Sequence, residues 1–359
     1  MLSHRDRRGT QPWPKSRPPL RGRPLRVSST DPKAAAMREI VVVDIGGTHA
    51  RFAIAEVGDQ RVRGLGEAFT LKTSEHAGLA AAWKVFREQS TRALPPAAAI
   101  AFAGPVGGEQ LELTNNSWVI RPARLPRELG LERLTVVNDF GAVAHAVAQL
   151  GDGEYRHVCG PEAALPVQGV ISIVGPGTGL GVAQLLRRAG GAYDVIETEG
   201  GHVDFAPLDE VEDQLLAHLR SRDGRVSVER LAAGMGLANI YEVLAAIEGR
   251  PVSARDDKEL WTAAMSGTDS LAGAALARWC LILGAVAGDF ALAHGAAGVV
   301  IAGGLGLRLA AHLPGSGFRD RFIAKDPYER RMDELPVKLL AHPQPGLFGA
   351  AAAFAREHP

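Results

Sequence analysis

Ile40-Val41-Val42-Val43-Asp44-Ile45-Gly46-Gly47-Thr48 is an apolar, β-branched run that stops at a glycine turn, after which Arg51 to Val57 reads as a returning strand. The same pattern recurs downstream, where Ile171 to Val174 leads into Gly175-Pro176-Gly177-Thr178-Gly179-Leu180-Gly181-Val182-Ala183. Gly47, Thr48 and Ala53 match Gly177, Thr178 and Ala183 at a constant offset of 130 residues. Two strand-turn-strand units at domain-scale spacing point to duplicated lobes facing each other. Between and beyond them, apolar runs alternate with Ala- and Leu-rich helical stretches. Gly78 to Glu88 suggests a helix, Ala97 to Phe102 a strand ending at Gly104-Pro105, and Leu134 to Val137 a strand stopping at Asn138-Asp139 before a helix through Ala148. A third glycine turn, Ala302-Gly303-Gly304, closes the run Gly298 to Ile301. The fold class is α/β.

The chain has 359 residues, long enough for two cores, with 46% hydrophobic and 22% charged residues, the proportions of a globular enzyme. Its net charge of zero hides an asymmetry. Residues 1–36 carry nine Lys or Arg against Asp6 and Asp31, a surplus of +7 that the remainder balances. Six prolines (Pro12, Pro14, Pro18, Pro19, Pro24, Pro32) and little apolar periodicity make this a disordered basic tail by expectation. It reads as inert, or as sequence upstream of a start at Met37. Organelle targeting and nucleic-acid binding are the functional alternatives, though the prolines disfavour an amphipathic targeting helix or a helix-turn-helix. No apolar segment of a signal peptide follows the early basic residues. The most apolar stretch, Leu281 to Leu305, is interrupted by Asp289 and His294 and reads as a buried helix followed by a strand rather than a membrane span. Cys159 and Cys280, far apart in apolar surroundings, are too few for a disulfide framework or a cysteine-built zinc site. The expectation is a cytoplasmic protein with no nucleic-acid or membrane partner.

Neither glycine hairpin carries the Lys-Ser/Thr of a P-loop or the spacing of a dinucleotide fingerprint. Each can offer backbone N–H groups and a Thr hydroxyl to phosphate oxygens, since glycine permits close backbone approach. Asp44 beside the first turn can hold Mg²⁺ through water, because hard cations prefer oxygen ligands. The plain alternative is two tight hairpins with a solvated Asp. Asn138-Asp139 stands where a strand ends and a helix begins, which is where α/β sheets build sites. The helix N-terminus is expected to favour an ionised Asp139, able to take a proton from a hydroxyl that attacks phosphorus. Its structural alternative is an N-cap. Glu199, His202 and Glu229, with Asn138, supply paired hydrogen-bonding groups suited to a polyhydroxylated ligand. Each alone is also readable as a surface residue, and His145 as a structural histidine. Thr114-Asn115-Asn116-Ser117-Trp118 is either a turn or a sugar-facing loop.

Taken in order, Asp44-Ile-Gly-Gly-Thr48, Ala103-Gly-Pro105, Thr114-Asn-Asn-Ser-Trp118, Asn138-Asp-Phe140, Gly177-Thr-Gly-Leu-Gly181, Glu199-Gly-Gly-His-Val-Asp-Phe205, Glu229-Arg-Leu231 and Ile301-Ala-Gly-Gly304 closely resemble the bacterial glucokinase family, over about Ile40 to Ala353. The resemblance implies the two-lobed actin-like ATPase (ribonuclease H-like) fold: a small lobe of residues 37–148 joined by a returning C-terminal helix within 343–359, and a large lobe of 149–342. It implies ATP and glucose in the cleft, phosphate contacts at Gly46, Gly47, Thr48, Thr178 and Gly179, and nucleotide contacts near Gly303 and Gly304. Asn138, Asp139, Glu199, His202 and Glu229 would hold glucose, with Asp139 the base. The family also suggests a homodimer. The cysteines by which a related group of sugar kinases and repressors binds zinc after Gly-His are missing, so the sequence resembles the zinc-free glucokinases. His49 departs from the Asn that family members often carry there. A kinase for another hexose or amino sugar, and a non-catalytic sugar sensor, are the alternatives.

Overall fold

A computed structural model describes residues 37–113, 117–252 and 256–359, and among these described residues the apolar runs lay down fourteen strands in order. The basic tail 1–36 and the Thr114 to Asn116 part of the polar cluster lie outside the described residues. Strands β1 (Arg38–Ile45), β2 (His49–Gly58), β3 (Arg61–Leu65), β4 (Phe69–Lys72), β5 (Ala97–Phe102) and β8 (Arg133–Asn138) form one sheet; β6 (Leu111–Glu112) and β7 (Val119–Ile120) make a small hairpin. Strands β9 (Tyr155–Cys159), β10 (Gly169–Pro176), β11 (Leu180–Arg187), β12 (Tyr193–Thr198), β13 (Gly298–Ile301) and β14 (Val337–Leu340) form the second. The first sheet runs β3-β2-β1-β5-β8, with β4 also on β2, and the second runs β12-β11-β10-β13-β14-β9. In each, an antiparallel glycine hairpin is followed by parallel strands on its first member. The 130-residue echo in the sequence thus corresponds to a repeated strand order, third-second-first-fourth-fifth.

Strand β1 is apolar at consecutive positions because it is buried on both faces. Val41 and Val43 pack with Phe52, Trp83 and Phe86 on one side. Ile40 and Val42 pack on the other with Leu347, Ala351 and Phe354 of the helix Pro345–Glu357. That C-terminal helix therefore returns to the first sheet, and each fully buried Leu or Phe on it contributes about 1.5–3 kcal/mol. In the second sheet, Ile171 and Ile173 face Val143 and Val147 of the helix Asp139–Gln149, whereas Val174 faces the large helical core. The helix after Asp139 thus packs between the two sheets, with Ala142 in the first core beside Leu347 and Ala350, and Val143 and Val147 in the second. The described residues from Met37 to Pro359 hold together as one compact unit.

The long apolar segment is the helix Ser270–Ala293 followed by β13, as its sequence indicates. It is the one helix among the described residues long and apolar enough to cross a membrane, and 72% of its most apolar window is buried in the protein. It packs as a core helix. One polar knot lies against it: Glu212, buried, accepts from Arg278 at 3.2 Å and Arg321 at 2.6 Å, and Asp209 also pairs with both arginines. Cys159 and Cys280 are both free and buried, their thiols pushed up by burial to about 12 and about 11.

Candidate active site

Strand β8 hands over to the helix Asp139–Gln149 at Asn138, whose Oδ1 accepts the N–H groups of Phe140 at 2.9 Å and Gly141 at 3.0 Å. Asn138 is therefore the N-cap, and Asp139 is the first helical residue. The capping duty that would have explained Asp139 structurally belongs to its neighbour. Asn138 also donates from Nδ2 to the Gly104 carbonyl at 3.1 Å, and its backbone N–H goes to Glu197 Oε1 at 3.0 Å. Its side chain has one N–H left for a ligand.

Asp139 departs from the electrostatics expected of it. Burial pushes its carboxyl up to about 7, the charges of Asp44 and Glu199 push the same way, and the Phe140 N–H, donating to Oδ1 at 2.9 Å, only partly offsets them. Holding the carboxyl at about 7 instead of 3.8 corresponds to about 4 kcal/mol. A helix N-terminus supplies about 0.3–1 kcal/mol, rarely about 2. Burial and like charge outweigh the helix, so the carboxyl is poised near neutrality instead of fully ionised.

The next residue ties this junction to the second glycine turn. Gly175 and Gly181 are paired across β10 and β11, and the Phe140 ring lies over both. A Cβ on Gly181 would stand 1.9 Å from Phe140 Cδ2, and one on Gly175 would stand 2.1 Å from Cζ. Two of the turn's glycines thus make a slot for an aromatic ring, in addition to any role toward phosphate. The tip of that turn is closed by Gly177 N–H to the Gly179 carbonyl at 2.8 Å, and the Gly177 carbonyl accepts from Gly234 at 2.9 Å. Glu229 enters here: its Oε2 accepts the Leu180 N–H at 2.9 Å, so one carboxylate oxygen is engaged with the turn. Thr178 is exposed at the tip. Gly303 opens the helix Gly303–Arg308 alongside, at φ +82°, where a Cβ would stand 2.6 Å from the Pro176 carbonyl; around Gly304 the space is open. Only glycine suits the first of these positions.

The first turn is pinned differently. Thr73, buried, donates its hydroxyl to the Gly47 carbonyl at 2.9 Å and its N–H to the Thr48 carbonyl at 3.0 Å. Gly46 N–H closes on the His49 carbonyl at 2.9 Å, and Thr48 is exposed. Thr73 is in turn held by Trp118, whose indole N–H reaches the carbonyls of Thr73 at 3.2 Å and His76 at 2.9 Å. Trp118 is buried, so its part in the polar cluster is structural rather than sugar-facing.

Asp44, next to last in β1 and just before the turn, pairs with Arg51 at 3.2 Å, and its carboxyl is raised by burial and pulled back by that guanidinium. A carboxylate whose charge is penalised by burial is a fitting partner for a hard dication. Among the described residues no group of three or more His, Cys, Asp or Glu is arranged to hold a metal ion. Glu199 heads the turn Gly200–His202 after β12; both Glu199 and His202 are exposed, and the His202 carbonyl accepts from Arg225 at 2.5 Å. His145 is structural: its Nδ1 meets the Tyr193 hydroxyl at 3.0 Å, and burial lowers its pKa to about 4.

The structure therefore brings Asp44, Asp139 and Glu199 within electrostatic reach, ties Asn138 to the strand-helix junction and Glu229 to the second glycine turn through backbone bonds, and leaves the His202 side chain exposed. Sequence reasoning missed Thr73, Glu197 and the ring of Phe140. The one signal available was glycine at Gly175 and Gly181, outside the tip that the turn itself requires.

The glucokinase family model matches residues 41–357. The glucokinase of Zymomonas mobilis is 62% identical over 320 residues, covering 89% of this chain and 98% of the relative. The crystal structure of glucokinase from an Antarctic psychrotroph is 32% identical, with a TM-score of 0.76 over 88% of this chain and 98% of its own. Glucokinase from Balamuthia mandrillaris in complex with glucose is 19% identical, with a TM-score of 0.72 over 89% and 94%, and supports the fold. With its two sheets of repeated strand order the chain has the actin-like ATPase fold, and it belongs to the glucokinase family.

Proposed function

We propose that this protein transfers the γ-phosphoryl group of ATP to the 6-hydroxyl of glucose, with Asp139 taking the hydroxyl proton. The observation that carries this reading is the Asp139 carboxyl, raised to about 7 and set between the Asp44 turn and the Phe140 slot of the second glycine turn. A base with a pKa near the working pH combines a useful ionised fraction with proton affinity well above that of an ordinary aspartate. As O6 bonds to the γ-phosphorus, its proton passes to Asp139, and the bond from phosphorus to the ADP oxygen breaks in line. The backbone N–H groups and hydroxyls around Gly46, Gly47, Thr48, Thr178 and Gly179 face the phosphates, and the turn at Gly303 and Gly304 borders the nucleotide. Asn138, Glu199, His202 and Glu229 hold the sugar hydroxyls, with Asn138 contributing its one spare N–H and Glu229 its second oxygen. Asp44 would hold Mg²⁺ through water; when bound, the ion neutralises phosphate charge.

This reading divides the chain into a small lobe of 37–148 with the returning helix in 343–359 and a large lobe of 149–342, with the substrates between them. It also takes the enzyme to be a cytoplasmic homodimer, which sedimentation of the purified protein tests. An ADP-release assay with ATP, Mg²⁺ and a hexose panel tests the activity: glucose should give the highest kcat/KM, whereas preference for an amino sugar or no turnover at all refutes it. Asp139→Asn should bind glucose yet lose about 10²- to 10⁴-fold in kcat. Near-normal turnover in that variant removes Asp139 as the base.

A further inference from the structure

The turn that presents Asp139 is held from the other sheet by a residue with no assigned role. Glu197 lies on β12 of the second sheet, 59 positions from Asn138, yet its Oε1 accepts the Asn138 N–H at 3.0 Å. Asn138 ends β8 of the first sheet and is buried, so this bond crosses between the sheets at the residue before Asp139. The fit is close on the other side of Asp139 as well: a Cβ on Gly141 would stand 2.3 Å from the same Glu197 oxygen. Opposite Glu197, Phe140 is seated on Gly175 and Gly181. Asp139 lies between these two anchors.

We propose that Glu197 is a positioning residue for Asp139, holding the first turn of the helix Asp139–Gln149 against the second sheet through the Asn138 N–H. The proposal rests on the reading of Asp139 as the proton acceptor. Removing the Glu197 side chain, which is itself exposed, leaves the part-buried Asn138 N–H without its protein partner. It also opens the junction to an adjoining hollow of about 420 Å³ lined by Glu197, Thr135, His145 and Arg356, so the turn gains freedom and water. A displacement of about 1 Å at a reacting group costs about 10²-fold in rate. A merely structural role would lower stability and leave the chemistry of the folded enzyme alone.

The test compares Glu197→Ala, Glu197→Gln and Asp139→Asn in the full chain by steady-state kinetics over pH, with thermal melts. Glu197→Ala is expected to lose about 10- to 100-fold in kcat while KM for glucose stays within about threefold. The acid limb of its kcat/KM should move to lower pH, because water reaching the junction eases the burial that raises Asp139. Asp44, itself paired with Arg51, and Glu199 also act on Asp139 and are kept in both Glu197 variants, whereas the Glu197 charge is lost from both alike, so the readout is the limb shift of Glu197→Ala beyond that of Glu197→Gln. Glu197→Gln should recover most of the rate, since its amide oxygen can accept the same N–H. If Glu197→Ala melts lower but keeps its kcat and pH limb, or if Glu197→Gln is as slow as Glu197→Ala, the proposal fails. Near-normal turnover in Asp139→Asn would sink the base reading and this proposal together; an inactive Asp139→Asn beside a normal Glu197→Ala sinks this proposal alone.

Discussion

Asp139→Asn should make the folded protein more stable at pH 8 while abolishing most of its turnover, and the size of the gain follows from the raised carboxyl. The group titrates at 3.8 in an ordinary setting and at about 7 here. Below pH 3.8 the carboxyl is neutral in both folded and unfolded chains and contributes no difference. As pH rises from about 4 to about 7, the unfolded chain gives up this proton and the folded chain keeps it, so stability falls over that window. Above about 7 the folded state carries the full cost of a buried charge beside Asp44 and Glu199, up to about 4 kcal/mol at 1.36 kcal/mol per unit. Partial solvent access lowers the recoverable part to about 2–3 kcal/mol. Asparagine has the same shape, carries no charge, and its Oδ1 can keep the Phe140 N–H bond seen at 2.9 Å. Urea unfolding of both proteins at pH 4 and pH 8, without ligands, measures the difference as a shift in midpoint at constant m. The variant should lead at pH 8, and the lead should shrink toward zero at pH 4. Equal offsets at the two pH values, or a variant less stable at pH 8, would refute the claim that burial and like charge dominate at Asp139.

Gly181→Ala should be damaging in proportion to the crowding it meets. A Cβ 1.9 Å from the Phe140 ring is about 1.5 Å short of the 3.4 Å at which ordinary contact begins, so ring or strand must move. The expected cost is about 1–3 kcal/mol in stability and at least about tenfold in kcat, read by thermal melts and ADP release; wild-type values in both would show that the ring is not seated there. Glu212→Ala should destabilise by about 3 kcal/mol in urea melts, because Arg278 and Arg321 then face only Asp209 at a mostly buried site. A loss below about 1 kcal/mol would make that knot an ordinary surface network.

Local pattern made the strands around both glycine turns legible, and their repeated spacing disclosed the duplicated strand order. The observed β1 extends Arg38–Ile45 around the expected Ile40 to Val43, and the expected strand at Leu134 to Val137 lies inside Arg133–Asn138. The Asn138-Asp139 step was visible as a strand-to-helix junction, but which residue caps depends on backbone angles that composition does not encode. Asn138, at φ −61° and ψ 149°, takes the cap, and that leaves Asp139 unexplained by structure alone.

Residue type and spacing made Asp44, Asp139, Glu199, His202 and Glu229 candidates, each alone also readable as a cap or a surface residue, and the ordered series of motifs around them singled them out. The ionisation of Asp139 was beyond their reach. Its direction depends on how much water is excluded and on two carboxylates distant in the chain, and those long-range terms exceed the local helix field that a sequence displays. The same holds for Glu197, Thr73 and Phe140, whose partners lie 26 or more residues away in bonds or packing made only when distant strands and turns are brought together. Periodicity and turn chemistry are local and survive in one dimension; burial, like-charge proximity and close approach are set by three-dimensional packing.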